Sequence, residues 1–213
     1  MAPQVWPLYR LRITTPRLEL RLPDLDLLGE LAESAAAGVH DESRMPFTVP
    51  WTAVGPKERG RATFQYVLGT LANWRAEDWT LSLVVLRDGK VVGLQDLSAA
   101  DFAVTREAGT GSWLGLAHQG QGYGTEMRAA VLHLAFAGLG ARAVTSSAMT
   151  DNPASLRVSE KLGYVPDGLA VTSVQGVART LQRLRLDRAD WEAHRSLPVE
   201  IHDLAPGLPL FGL

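Results

Sequence analysis

The chain has 213 residues, enough for one domain with a sizeable core or one domain with short extensions. Apolar residues make up 46% and charged residues 21%, the balance of an ordinary globular chain, and the formal net charge of −2 argues against nucleic acid or an anionic membrane as partner. With no cysteine, disulfides, thiolate metal sites and a cysteine nucleophile are excluded, which fits a cytoplasmic location.

Residues 1–10 hold prolines at 3 and 7 and read as an irregular arm, without the basic-then-apolar pattern of a secretion leader. No apolar run is long enough to span a bilayer. From Leu11 to Leu22, Leu18, Leu20 and Leu22 alternate with Glu19 and Arg21, predicting a half-buried strand. Asp24 is placed to cap a following helix, with an apolar stripe of Leu25, Leu28, Leu31 and Ala32. Residues 37–56, with prolines at 46, 50 and 56, predict a long irregular loop of the kind that serves as a lid. Its His40, Arg44, Phe47 and Trp51 are candidate acceptor-binding residues, although Phe47 and Trp51 can equally tuck into the core to anchor the loop, the reading favoured for Trp51.

Residues 57–76 predict a helix carrying Ala62, Tyr66, Leu68, Leu71 and Trp74. Thr80–Leu86 and Val91–Leu97 predict two strands around Asp88-Gly89, a strong hairpin signal. After a connector at 101–107, Thr110–Leu116 predicts a strand that delivers the chain into Gln119-Gly120-Gln121-Gly122-Tyr123-Gly124-Thr125. The three alternating glycines leave backbone amides bare, and Met127, Val131, Leu134 and Ala135 recur at helical spacing beyond them. Bare amides at a helix N-terminus favour a phosphate. A Walker loop would need a Lys that is absent. A dinucleotide fingerprint would need glycine where Thr125 or Met127 stands.

Ala143–Met149 predicts a strand parallel to the one before the glycine loop. Next comes Thr150-Asp151-Asn152-Pro153, a helix start with Pro153 at the first helical position, and Gly163 is a natural helix stop. Leu169–Val174 and Thr180–Leu186 predict two more strands, and Arg188–His194 a short helix. Residues 196–213 read as an irregular tail.

The glycine phrase, with Gln119, Gly122 and Gly124 in a Gln/Arg-x-x-Gly-x-Gly/Ala pattern, resembles the acyl-CoA pyrophosphate loop of the GCN5-related N-acetyltransferase (GNAT) superfamily. Asn152, Ser155 and Glu160-Lys161-Leu162-Gly163-Tyr164 resemble a second motif of that family, about thirty residues further on. Thr15, Arg17, Leu18, Leu20 and Arg21 resemble the opening strand of its RimJ/RimL-like branch.

The resemblance implies an α/β (α+β) GNAT fold: a mixed sheet of about seven strands with helices on both faces and a splayed cleft, in an acyltransferase domain over 11–195. It implies an enzyme moving an acetyl group from acetyl-CoA to a primary amine, on a protein N-terminus or a small molecule. A variant would use succinyl-CoA, whose distal carboxylate His40 or Arg44 could pair. By position, the strand edge at Leu114 and Leu116, the loop from Gln119 to Thr125, and Asn152 would hold the cofactor, with an oxyanion donor among the amides near Leu116.

Ser155 resembles the serine that bonds the sulfur. Ser159 stands where many members carry a tyrosine that protonates the thiolate, which puts weight on Ser155 or a water. A glutamate common before the loop is replaced by Gly109, so Glu107 and Asp96 are the nearest candidate general bases, and either can instead be a solvated acid. Those two departures leave open a non-catalytic acyl-CoA sensor. The five histidines show no metal spacing, so no metal is expected. A homodimer is compatible with the sequence.

Overall fold

A computed structural model describes residues 2–213. One nine-stranded sheet runs in the order β7-β8-β6-β5-β4-β3-β2-β1-β9. The strands are β1 (Arg12–Thr14), β2 (Glu19–Arg21), β3 (Asp78–Arg87), β4 (Lys90–Ala100), β5 (Glu107–Leu114), β6 (Ala143–Met149), β7 (Val165–Val174), β8 (Val177–Asp187) and β9 (Glu200–His202). Among the described residues seven α-helices accompany them: α1 (Ala2–Val5), α2 (Leu25–Ala37), α3 (Pro56–Ala72), α4 (Phe102–Thr105), α5 (Tyr123–His133), α6 (Pro153–Lys161) and α7 (Arg188–His194). Every neighbouring pair of strands is antiparallel except β5 and β6. The architecture is the expected mixed sheet with helices on both faces, with nine strands rather than about seven.

The period-2 alternation of the central strands builds two cores. On one face Val84, Leu86 and Leu94 pack with Leu27, Leu28 and Leu31 of α2 and Val67 of α3. On the other, Leu81, Leu83, Leu97 and Ala108 cluster with Met127 and Val131 of α5. The β3–β4 turn has Asp88 at φ 50° and Gly89 at φ 75°, the two positive angles of a type I′ hairpin. Asp24 caps α2 by accepting from the Leu27 amide at 2.9 Å.

Several expectations need correction. The run 11–22 is two strands, not one: Pro16 cannot donate to a ladder, and Thr15 turns the chain by bonding the Leu18 amide at 3.0 Å. The α2 stripe is displaced, with Leu25 exposed and Leu27 buried. In α3 the buried positions are Gly60, Thr63 and Val67, while Tyr66 and Leu68 stay exposed.

The two ends are not irregular. A 3-10 turn at Pro7–Tyr9 buries Leu8 completely. The tail adds β9 to the sheet edge beside β1 and then a 3-10 helix, Ala205–Phe211. Phe211 is fully buried, with ring centroids 4.9 Å from Trp79 and 5.4 Å from Trp74, and the Trp74 indole donates to the Leu210 carbonyl at 2.7 Å. Among the described residues no helix is long and apolar enough to cross a membrane.

Removing the Phe211 ring would leave a cavity beside Trp74 and Trp79. Phe211→Ala is expected to cost about 3–5 kcal/mol in urea unfolding followed by tryptophan fluorescence, with the slope unchanged.

Candidate functional site

The parallel pair β5–β6 is matched at Glu107–Ala143, Ala108–Val144 and Gly109–Thr145, and then stops. Each strand keeps its outer partner: β5 pairs with β4 as far as Leu114, and β6 pairs with β8 over its whole length. The two strands therefore splay beyond Gly109 and Thr145. The Gly115 amide bonds the Val92 carbonyl, so by antiparallel alternation the amides of Trp113 and Gly111 also face β4. Those of Leu114 and Ser112 then face the opening. On the α2–α3 side Gly111 and Ser147 are exposed although both lie on central strands.

The glycine loop sits at the wide end of this opening. Gly120 and Gly122 have φ 73° and 84°, and the first helical bond of α5 runs from the Glu126 amide to the Gly122 carbonyl at 3.2 Å. Among the described residues, the amides from Gly120 to Thr125 have no acceptor. Six bare amides at a helix N-terminus make an anion cradle. Two side chains of the loop bond backbone carbonyls instead. Gln119 Nε2 donates to the carbonyls of Val39 (2.7 Å) and Leu114 (3.0 Å), tying the loop to the end of α2, and Gln121 Nε2 donates to Ala117 O. The Leu116 amide is bonded to Gly38 O at 3.0 Å, so it is not free to hold an oxyanion.

A latch that sequence reasoning did not foresee fixes the loop. Glu126, 5% exposed, accepts from the Thr15 hydroxyl (2.7 Å), the Arg17 amide (2.9 Å) and Arg17 Nε (2.6 Å). Arg17 Nη1 reaches on to the Gln121 carbonyl at 3.0 Å, and its guanidinium lies 4.7 Å from the centre of the Tyr123 ring. Thr15 and Arg17 were legible as a motif, but not as the clamp on residues more than a hundred positions away.

At the start of α6, Asn152 Oδ1 caps the Ser155 amide at 3.3 Å, which leaves its Nδ2 free. Ser155 is half-buried in the first turn. Ser159 is fully buried; its hydroxyl donates to the Ser155 carbonyl and accepts from Arg128. Tyr164 is buried with its hydroxyl 3.5 Å from Thr110, a core position.

The two candidate carboxylates part company. Glu107 begins β5 at the closed end of the pair, ion-paired to Arg185 at 2.9 Å; at roughly 3.3 Å per residue it lies about 23 Å from Leu114. The structure does not bring it to the opening. Asp96 on β4 stands opposite Gly111 and accepts from the Tyr66 hydroxyl at 2.8 Å. A Cβ added to Gly111 would lie 3.9 Å from Asp96 Oδ2, so the bare strand gives this carboxylate its access to the groove. Burial pushes the Asp96 carboxyl up to about 6, partly offset by the hydroxyls of Ser82 and Tyr66.

The loop between α2 and α3 folds over the same face. The rings of Phe47, Trp51 and Trp113 pack in tilted pairs at centroid distances of 5.2 and 5.7 Å, so Trp51 seats the loop on β5. His40 is held by Thr52 Oγ1 (2.6 Å) and the Asp41 carbonyl (2.7 Å). Arg44 donates to the Asp151 carbonyl, joining the loop to the start of α6. Among the described residues no group of three or more His, Asp or Glu is placed to hold a metal ion.

The model of the Acetyltransferase (GNAT) domain family matches residues 17–165. Similar solved structures include Mycobacterium smegmatis RimJ in complex with CoA-disulfide, at 20% identity and TM-score 0.69, covering 85% of this chain and 87% of that one. RimL, a ribosomal L7/L12 α-N-protein acetyltransferase in complex with coenzyme A, matches at 18% identity and TM-score 0.62, covering 81% and 95%. A chimera built on the spermidine N-acetyltransferase SpeG from Vibrio cholerae matches at 18% identity and TM-score 0.63, covering 83% and 98%. At these identities the likeness is one of fold.

Because the folded state holds the Asp96 proton more tightly than the unfolded chain, the group favours folding fully below about pH 4 and loses that contribution as pH rises through about 6. Asp96→Asn, neutral throughout, is therefore expected to be more stable than the parent at pH 8, by on the order of 1–2 kcal/mol. Thermal unfolding across pH should show the gap closing near pH 4.

Proposed function

The chain belongs to the GNAT acetyltransferase family, and on that premise we propose that it carries an acetyl group from acetyl-CoA to a primary amine by direct attack in the opening between β5 and β6. The observation that carries this reading is the row of partnerless amides from Gly120 to Thr125 at the mouth of a splayed strand pair. Family members use acyl-CoA. In this chain the cofactor's diphosphate suits the amide cradle and its pantetheine arm suits the free strand edges, which need hydrogen-bond partners in mid-sheet. Asn152, with its oxygen spent on the helix cap, retains an NH₂ group for an amide carbonyl of that arm. Ser155 stands one turn into α6 for the sulfur.

Two requirements of the reaction then find residues. The inward-facing Leu114 amide is the candidate oxyanion donor, in place of the engaged Leu116 amide. Holding amine and thioester together supplies much of the rate. Asp96 takes the proton of the attacking nitrogen; a carboxyl with a pKa of about 6 is largely ionised at neutral pH yet more basic than an ordinary aspartate. Sequence reasoning reached Asp96 only as one of two candidates, and Gly111 is the feature that favours it.

For the donor, the engagement of His40 within the lid and of Arg44 by the Asp151 carbonyl favours acetyl over succinyl. For the acceptor, the RimL and SpeG neighbours are a ribosomal-protein N-terminal acetyltransferase and a spermidine acetyltransferase. One carboxylate beside an aromatic wall suits a single amine on a peptide or apolar stem, such as a protein N-terminus, better than a polyamine.

Two measurements test this reading. Gly122→Val would place a branched side chain at φ 84° with its Cβ 3.2 Å from the Arg17 guanidinium. It is expected to raise the KM for acetyl-CoA at least about tenfold. Unchanged KM would remove the loop from the site. In a free-thiol release assay with an amine panel, kcat/KM should rise with pH through about 6. Asp96→Asn should lower kcat by roughly 10²-fold or more and flatten that rise.

A further inference from the structure

Arg128 is a buried charge that the acyl-transfer reading leaves unused. It is 5% exposed and lies on the face of α5 turned toward β5 and α6. Nη1 donates to Ser159 Oγ at 3.0 Å, Nη2 donates to Ser112 Oγ at 3.2 Å, and Nε–H has no partner. Among the described residues no carboxylate pairs with it, and Tyr164 is the titratable group that acts on it. Burial lowers its pKa, yet a guanidinium stays charged under these conditions. A lone cation out of water is costly unless an anion compensates it.

The position says which anion. Ser112 lies on the stretch of β5 that has parted from β6, and Ser159 faces it from α6, so the guanidinium bridges that parted strand to the helix that carries Ser155. The same α6 carries Ser155, whose carbonyl takes the Ser159 hydroxyl. We infer that Arg128 stabilises the CoA thiolate as it departs. The inference rests on the acetyl-CoA reading. A neutral amine forms the new N–C bond and its surplus proton passes to Asp96. The C–S bond breaks with its electron pair on sulfur, and the thiolate is held by the guanidinium until it takes a proton from water; Asp96 returns its own to solvent. A fixed cation in a dry site acts where charge develops.

The test compares CoA with desulfo-CoA, which lacks the sulfur, by calorimetry at pH 8.5 and 6.5. The wild type should prefer CoA by about fivefold or more at pH 8.5, the effect there of lowering a thiol pKa of about 8.5 by one unit, and the preference should fade at pH 6.5. Arg128→Met should abolish the preference while keeping desulfo-CoA affinity, and Arg128→Lys should keep part of it. A wild type with no thiol-dependent preference overturns the inference without recourse to any variant. So does equal loss of both ligands in Arg128→Met, which marks a structural role, or a loss confined to turnover of succinyl-CoA, which assigns the cation to the acyl group. If the wild type binds neither ligand, the acyl-CoA reading itself falls.

Discussion

Two neighbouring strands in the middle of the sheet hold together for three residue pairs and then separate, and the site depends on that separation. Unpaired amides and carbonyls in a sheet interior are costly, so something must hold the strands apart. The restraint comes from outside the pair. The ladder to β4 holds β5 as far as Leu114, and β8 holds all of β6. Neither strand can move toward the other without breaking its outer ladder. The edges that result offer hydrogen bonds to an extended ligand, in the way a sheet edge accepts an added strand.

The same logic governs the glycine loop. Bare amides bind an anion well only when the loop is already in place, because ordering it on binding would subtract from affinity. Here the order is built in from two directions: Glu126 receives Thr15 and Arg17 from the β1–β2 turn, with Arg17 reaching on to the Gln121 carbonyl, and Gln119 ties the loop to the end of α2. The amide cradle is thus held by residues remote in sequence, none of which needs to touch the ligand. On the opposite face the lid is anchored by a tilted aromatic contact with Trp113 and by Arg44 at α6, leaving Asp96 and the bare Gly111 between them.

What could be read in advance follows from the range of the interactions involved. The span Ala143–Met149, the capped start of α6 and the glycine turn are local patterns, and the structure has them where the patterns lie. Position in a register is not local. Glu107 and Asp96 looked equivalent in the sequence, yet one sits at the closed end of β5 and the other opposite an empty side-chain position on the next strand. The bond from Gln119 to the Val39 carbonyl and the loss of the Leu116 amide to Gly38 depend on how α2 ends against the loop. The Pro-rich ends resisted reading because their order comes from packing on Trp74 and Trp79 rather than from any period of their own.

That closure of the ends carries a cost in time. Arg12 pairs with His202, so the outermost rung at this edge of the sheet joins segments near the two ends of the chain. Contacts of such separation form late, after the loops between them have closed. Until then β1 presents an uncovered rim to which a stray strand from another molecule could add. The last segment to dock is therefore also a guard against aggregation.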